Sequence, residues 1–328
     1  MRAARLHAVG DLRVADEPEP RAGSGMSLVR VTAVGICGSD LHWWDEGAIG
    51  DAKLTHPLVL GHEGAGVIVD GPRAGQRVAI DPAIPDETCR ACRDGYRNLC
   101  YHMKFSGHGD TDGMMAEVMA WPTRLLHPLP DSLTDADGAL LEPLGVAVHS
   151  VDLGHLPFAG STSVIGCGPI GLLLIALLKA AGASSVLAVE PLEHRRKAAM
   201  RMGADQVCAP AADLGDAGVD VAFEAAGHDE AVQLAMTSVR PGGRVVLAGI
   251  PGDDMIRFGA AAARRKGLTI AMVRRMNEVY PRAIDLAERR VADLSTLVTG
   301  RYGLDESAEA FTDGARRTGL KVVIEPQL

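Results

Sequence analysis

The chain is 328 residues long, enough for two domains, with 47% hydrophobic residues and a mean hydropathy of +0.09, the balance of a globular protein with a substantial core. A formal net charge of −9 and a pI of about 5.7 exclude a nucleic-acid binder, because no basic face is available to neutralise phosphates. The longest apolar run, residues 164–178, is broken by Gly166, Gly168, Pro169 and Gly171 and is too short to span a membrane.

The first part, to about Leu141, is rich in Gly, Pro and short β-like runs (27–34, 66–69 and 77–80), with few helix patterns. It reads as a small, partly open β-barrel domain. Near its start, MRAARLHAVGDLRV lacks the apolar segment of an export signal, which makes the cytoplasm the expected compartment. The stretch Gly35-Ile36-Cys37-Gly38-Ser39-Asp40-Leu41-His42 sets a thiol, a hydroxyl and an imidazole close together, and Gly61-His62-Glu63-Gly64 adds a second imidazole beside a carboxylate. A catalytic zinc needs about three protein ligands and one open position. Cys37, His62 and one or both of Glu63 and Glu142 would supply them. Ser39 and His42 could then pass the released proton to water. Taken singly, each is as well explained as a packed thiol, a turn hydroxyl or a solvated imidazole.

Three of the six cysteines, Cys89, Cys92 and Cys100, crowd into one segment behind Asp86. Without an export signal this reads as metal binding rather than a disulfide framework. Closed structural zinc sites take four ligands, and Asp86 can stand as the fourth; a metal-free loop is the alternative. Cys167 and Cys208 read as packing residues.

Helix patterns follow at 134–141 and 144–153, with Glu142 between them. A buried strand at 162–165 then runs into Gly166-Cys167-Gly168-Pro169-Ile170-Gly171, a long apolar helix at 172–181 ends at Gly182, and a second strand, 186–189, ends on Glu190. This is the dinucleotide fingerprint in full context. Gly166 allows the turn, Gly168 lets the backbone approach a pyrophosphate and Gly171 lets helix and strand pack, while the helix N-terminus offers its amides to phosphate. Glu190 favours NAD by accepting ribose hydroxyls; Arg195 and Arg196 keep NADP open. Strands (206–209, 219–223, 244–248, 268–273) and a helix near Asp229–Ser238 continue the alternation. That pattern predicts an α/β, doubly wound parallel sheet, whose turns at Ala225 and Gly249 belong to the ligand edge. A helix at 279–290 and a strand at 320–324 close the chain.

GICGSDLHWW, HPLVLGHEGAGVI, CRACRDGYRNLC, LEPLGVAVH, GCGPIG and RPGGRVVLAG together resemble the zinc-dependent medium-chain dehydrogenases, in the polyol and sugar-acid branch near sorbitol and L-idonate 5-dehydrogenases. The resemblance covers nearly the whole chain. It implies a GroES-like catalytic domain (1–148) with a structural-zinc lobe (about 86–100), a Rossmann NAD-binding domain (149–272), a return to the first domain (273–328), and a homodimer or homotetramer. By position, Cys37 and His62 look like the family's zinc ligands, and Glu63 is similar to a glutamate that ligates or sits just outside. Glu142 falls where the polyol branch uses a carboxylate, often through a water, and Arg274 resembles an arginine that meets substrate hydroxyls or carboxylate. The expected reaction is oxidation of a secondary hydroxyl to a ketone with NAD. A threonine or amino-alcohol dehydrogenase, a zinc-free reductase and a silent NAD-binding protein are the rivals. Two departures stand out: Asp86 replaces the usual first cysteine of the lobe, and the chain is short, with residues 69–75 trimmed. The tract 103–113 is expected over the substrate cleft.

Overall fold

The computed structural model describes residues 1–210, 218–252 and 255–328. They form two compact units, Met1–Glu142 with Tyr280–Leu328, and Pro143–Val279.

In the first unit the chain is organised on strand Met26–Gly35. Its alternation buries Val29, Val31 and Ala33 while Arg30 faces water, and it ends in the fully buried Val34 and Gly35. The sheet runs Leu126–Pro128, Arg77–Ile80, Glu63–Ile68, Met26–Gly35, Lys321–Glu325, Val298–Gly303, with Val118–Pro122 also paired to the central strand. Leu6, Val31, Leu60, Ile80, Met114, Trp121 and Phe311 belong to its core. Register fixes what meets at the end of the central strand. Gly35 pairs with Glu63 on one side and with Val323 on the other.

Helix Gly38–Glu46 has no counterpart in the sequence reading. Only Asp40 and Trp43 of its residues are buried, so no apolar stripe marks it. Conversely, the two helices expected around Pro143 are one, Asp135–Gly154. It starts on reciprocal bonds, Thr134 N–H to Asp137 Oδ2 (2.9 Å) and Asp137 N–H to Thr134 Oγ1 (3.1 Å). Proline inside a helix costs about 3 kcal/mol. Continuous burial of residues 136–145 offsets that here.

The second unit holds the expected six-stranded parallel sheet, in the order Gln206–Cys208, Ser185–Val189, Ser161–Ile165, Val219–Glu224, Val239–Leu247, Thr269–Met272. Numbered by chain position this is 3-2-1-4-5-6, the doubly wound order with its switch point beside the first strand. Residues 162–165 are all buried, as a central parallel strand requires. Ile165 is in register with Val189 and Glu224, and Glu224 with Leu247. The turns that follow these strands therefore emerge at one edge. Among the described residues no helix is long and apolar enough to cross a membrane.

Candidate active site

Cys37 is the N-cap of helix Gly38–Glu46, and Asp40 sits in its first turn. Asp40 reaches back to accept the Cys37 N–H with Oδ2 (3.0 Å), while Oδ1 accepts the Gly61 N–H (3.2 Å). That same Oδ1 faces His62 Nδ1 at 3.4 Å. One buried carboxylate thus caps the helix and fixes the imidazole. Burial opposes the Asp40 charge, but His62 and the two amides outweigh it and hold the carboxyl below its ordinary pKa. Burial likewise opposes an imidazolium at His62, yet Asp40 and Cys37 push its pKa well above the ordinary value.

The Cys37 sulfur, a His62 ring nitrogen and a Glu63 carboxylate oxygen lie within 4.8 Å of one another. The donors are a thiolate, an imidazole and a carboxylate, a set that suits zinc, and the carboxylate behind His62 is the outer partner such ligands need. Ser39 Oγ is 3.4 Å from His62 Nε2. His42, three residues along the same helix, pairs through Nδ1 with Glu46 Oε1 at 3.0 Å. Glu142 is buried but outside the trio. Burial pushes its pKa up to about 7, with His62 pulling down and Glu63 pushing further up. Behind Glu63 stands Lys321, itself buried and ion-paired with it. In the tract 103–113, the Phe105 ring leans on His62 at 5.4 Å and Ser106 Oγ donates to Gly61 O at 2.8 Å.

Asp86, Cys89, Cys92 and Cys100 form a second group within 4.8 Å. Asp86 Oδ1 accepts the N–H groups of Thr88 and Cys89, both at 2.9 Å, and Cys100 Sγ accepts those of Asp86 (3.3 Å) and His102 (3.4 Å). The Cys89 amide leads in holding the Asp86 carboxyl below the usual carboxylate range; partial burial opposes it and the Thr88 amide assists. The cysteines are free thiols, with Cys89 Sγ 3.5 Å from Cys92 Sγ. Three soft donors and one charged oxygen, all supported by backbone, fit a closed zinc site.

In the second unit Gly166 has φ 93, and a Cβ there would lie 2.9 Å from Ala226 Cβ; one on Gly171 would lie 1.9 Å from Gly166 O. A Cβ on Gly168 would meet only Arg195 Nη1, at 3.8 Å, so the backbone before helix Pro169–Ala180 is open to a ligand with Arg195 beside it. Pro169 and Ile170 open that helix. Glu190 is 3% exposed and accepts the Cys167 N–H (2.8 Å) and the Leu192 N–H (3.0 Å). Arg196 donates to Glu190 O and Pro191 O. Burial pushes the Cys167 thiol up to about 12, with Glu190 adding to it. Ala225 N–H donates to Ile165 O at 2.8 Å, and a Cβ on Gly249 would lie 2.2 Å from Gly227 N. This cradle, open amides at a helix start flanked by a buried acid and an arginine, fits a dinucleotide. Arg274 is exposed and follows strand Thr269–Met272 in this unit.

Sequence reasoning missed Asp40, Lys321 and Glu224. Asp40 could have been found as an acid three residues after an N-cap position. Glu224 accepts the Ala226 and Gly227 amides at 2.6 Å and is readable only as a strand-end acid. Lys321 carries no local signal.

Residues 23–131 match the alcohol dehydrogenase GroES-like domain, and residues 169–289 match the family described as zinc-binding dehydrogenase. The chain is 32% identical to sorbitol dehydrogenase of Bacillus subtilis over 99% of its own length and 97% of that protein's. Among solved structures it superposes on L-idonate 5-dehydrogenase from Escherichia coli with a TM-score of 0.90 at 26% identity, covering 99% and 97% of the two chains. It superposes on a zinc-binding dehydrogenase from Sinorhizobium meliloti, bound to NADP, with a TM-score of 0.91 at 29% identity and 99% coverage of both.

Proposed function

The chain belongs to the zinc-containing medium-chain dehydrogenases, as an NAD(P)-dependent alcohol or polyol dehydrogenase, and from that premise we propose that it oxidises a secondary hydroxyl of a polyol or sugar acid, sorbitol- or L-idonate-like, to a ketone with NAD. The observation that carries this reading is the trio of Cys37, His62 and Glu63, its imidazole and carboxylate buried, with Asp40 behind the imidazole. When bound, zinc would supply a Lewis acid that lowers the pKa of the substrate hydroxyl, and the nicotinamide would supply the hydride acceptor.

The chain's own residues do the rest. Cys37, His62 and Glu63 would hold the metal, with Glu142, whose charge is coupled to His62 and Glu63, as the further carboxylate. Ser39, beside His62 Nε2, takes the hydroxyl proton, and His42, whose Nδ1 is engaged by Glu46, passes it outward. Gly166, Gly168, Pro169, Ile170 and Gly171 receive the pyrophosphate, and Ala225 and Gly249 bound the ligand edge. Glu190, buried and acidic, accepts the adenosine ribose hydroxyls and disfavours a 2′-phosphate; this supports NAD over NADP even with Arg195 beside Gly168. Arg274 meets the substrate's hydroxyls or carboxylate. Asp86, Cys89, Cys92 and Cys100 hold a structural zinc.

We read the first unit as the catalytic domain and the second as the cofactor domain of a cytoplasmic homo-oligomer. The edge strand Thr269–Met272, which exposes Ile270 and Met272, supports self-association.

The test is a comparison of kcat/KM for idonate, gluconate, sorbitol, xylitol and threonine with NAD and with NADP. A polyol or sugar acid with NAD should lead. Dominant turnover of threonine overturns the substrate class, and turnover that survives complete zinc removal overturns the mechanism.

A further inference from the structure

Residues 105–111 turn back on themselves in a tight hairpin, with backbone bridges from His108 to Phe105 and to Thr111. The Gly107 N–H donates to Thr111 O at 3.0 Å and the His108 N–H to Phe105 O at 3.1 Å. The hairpin is seated on the backbone just before His62. Ser106 Oγ donates to Gly61 O, and a Cβ on Gly107 would lie 2.9 Å from Gly61 N, so only glycine allows so close an approach. From this seat the hairpin presents two rings to the elements that carry the trio. Phe105 leans on His62 itself, and His108 meets Trp43 edge-on, with centroids 5.6 Å apart and planes at 64°. Trp43 stands less than two turns along the helix that Cys37 caps and is buried, so the imidazole rests against a fixed wall. His108 itself stays partly exposed.

The charges nearby decide what such an imidazole would meet. At the trio, the thiolate of Cys37 and the carboxylate of Glu63 together cancel a divalent cation, so nothing there draws an anionic group of a substrate. The acids beside the hairpin are turned to other partners. Asp112 accepts from Arg5 Nη1 at 2.8 Å and from the Val59 N–H at 3.0 Å, and Asp110 lies 3.7 Å from His56 Nε2. Within residues 105–111 the imidazole is the one side chain able to carry positive charge. We propose that His108 is a specificity-determining residue that donates a hydrogen bond to the carboxylate of a sugar acid, at the end of the substrate away from the metal, so that sugar acids are favoured over uncharged polyols. This rests on the reading of the chain as a polyol or sugar-acid dehydrogenase and narrows it.

The experiment measures kcat and KM with L-idonate, gluconate and sorbitol in wild type and in His108→Phe, which keeps a ring against Trp43 but has no donor. Calorimetric titration of the same acids into the enzyme with NADH reads binding apart from turnover. In His108→Phe, KM and the dissociation constant for the preferred acid should rise about tenfold or more, the loss expected for one hydrogen bond to a charged group. Its kcat, and both constants for sorbitol, should stay within about twofold. An equal loss on sorbitol overturns the proposal, because His108 would then only support the hairpin, and so does no loss on either acid. A wild type that prefers sorbitol to both acids also overturns it while leaving the polyol reading intact; turnover of neither polyol nor acid removes both. Should His108→Phe not fold, His108→Gln, a donor without charge, should show the same selective loss at smaller size.

Discussion

The two thiol-bearing clusters of the first unit are built on opposite plans. The lobe closes on itself within residues 86–102, its acceptors satisfied by amides of the same segment. The trio is assembled from a helix start and a strand start, and its support comes from buried charged side chains, Asp40 and, from the C-terminal strand, Lys321. A closed, locally supported site suits stability. A site assembled across segments and backed by buried charge suits turnover, which needs a position kept open for substrate. The difference predicts separable phenotypes.

The largest expected effect is on Cys37→Ala. It should lose one zinc and about 10³-fold or more in kcat, since a Lewis acid contributes several kcal/mol to the transition state, with little change in Tm. Cys89→Ala should do the reverse, losing the other zinc and lowering Tm by roughly 5–10 °C while the protein that stays folded still turns over. Metal analysis with a thermal scan checks both; a Cys89→Ala enzyme that is folded but dead breaks the comparison.

Next in size is Asp40→Asn. Weakening the outer partner of His62 should cost about 10–100-fold in zinc affinity at the trio and nothing at the lobe, as chelator competition would report. Asp86→Asn sharpens the other side. The amide keeps an oxygen for the Thr88 and Cys89 N–H groups but removes the charge, so lobe zinc should be lost about tenfold more readily if Asp86 is a ligand. Unaltered retention would make Asp86 a turn cap only.

A pH effect on stability supplies a baseline from residues that belong to neither cluster. The ring of His127 stacks on buried Tyr280 with centroids 4.5 Å apart, and burial, with Arg73, pushes its pKa down to about 4. The unfolded chain therefore binds a proton that the folded one refuses, and stability should fall as pH drops from about 6.5 to 4, by at most about 3 kcal/mol. Denaturant unfolding of His127→Phe across that window should show a flatter profile. An unchanged slope would place the acid sensitivity elsewhere.

Legibility followed the same division. The lobe and the glycine turn were readable because each lies in one short segment with fixed spacing, and the strands because burial alternates or runs continuously along them. Helix Gly38–Glu46 was hidden because it buries two residues and is stabilised at its start by Asp40 rather than by a stripe. The break expected at Pro143 failed because burial of its neighbours outweighs one lost hydrogen bond. Lys321 was illegible for a plainer reason: a lysine opening an apolar strand looks solvated until the register across Gly35 is known.

The spacing of the sulfurs in the two clusters also divides their fate under oxidants. With the lobe stripped of metal, Cys89 and Cys92 stand 3.5 Å apart, near enough for a peroxide to oxidise one thiol and for the other to condense with it, sealing the lobe against reloading until a reductant intervenes. Cys37 is the one thiol of the trio, so a sulfenic acid formed there has no second thiol of the trio to condense with. Oxidation of the stripped lobe thus stops at a disulfide that a reductant reopens, whereas oxidation of Cys37 has no such stop and can run on to the irreversible acids.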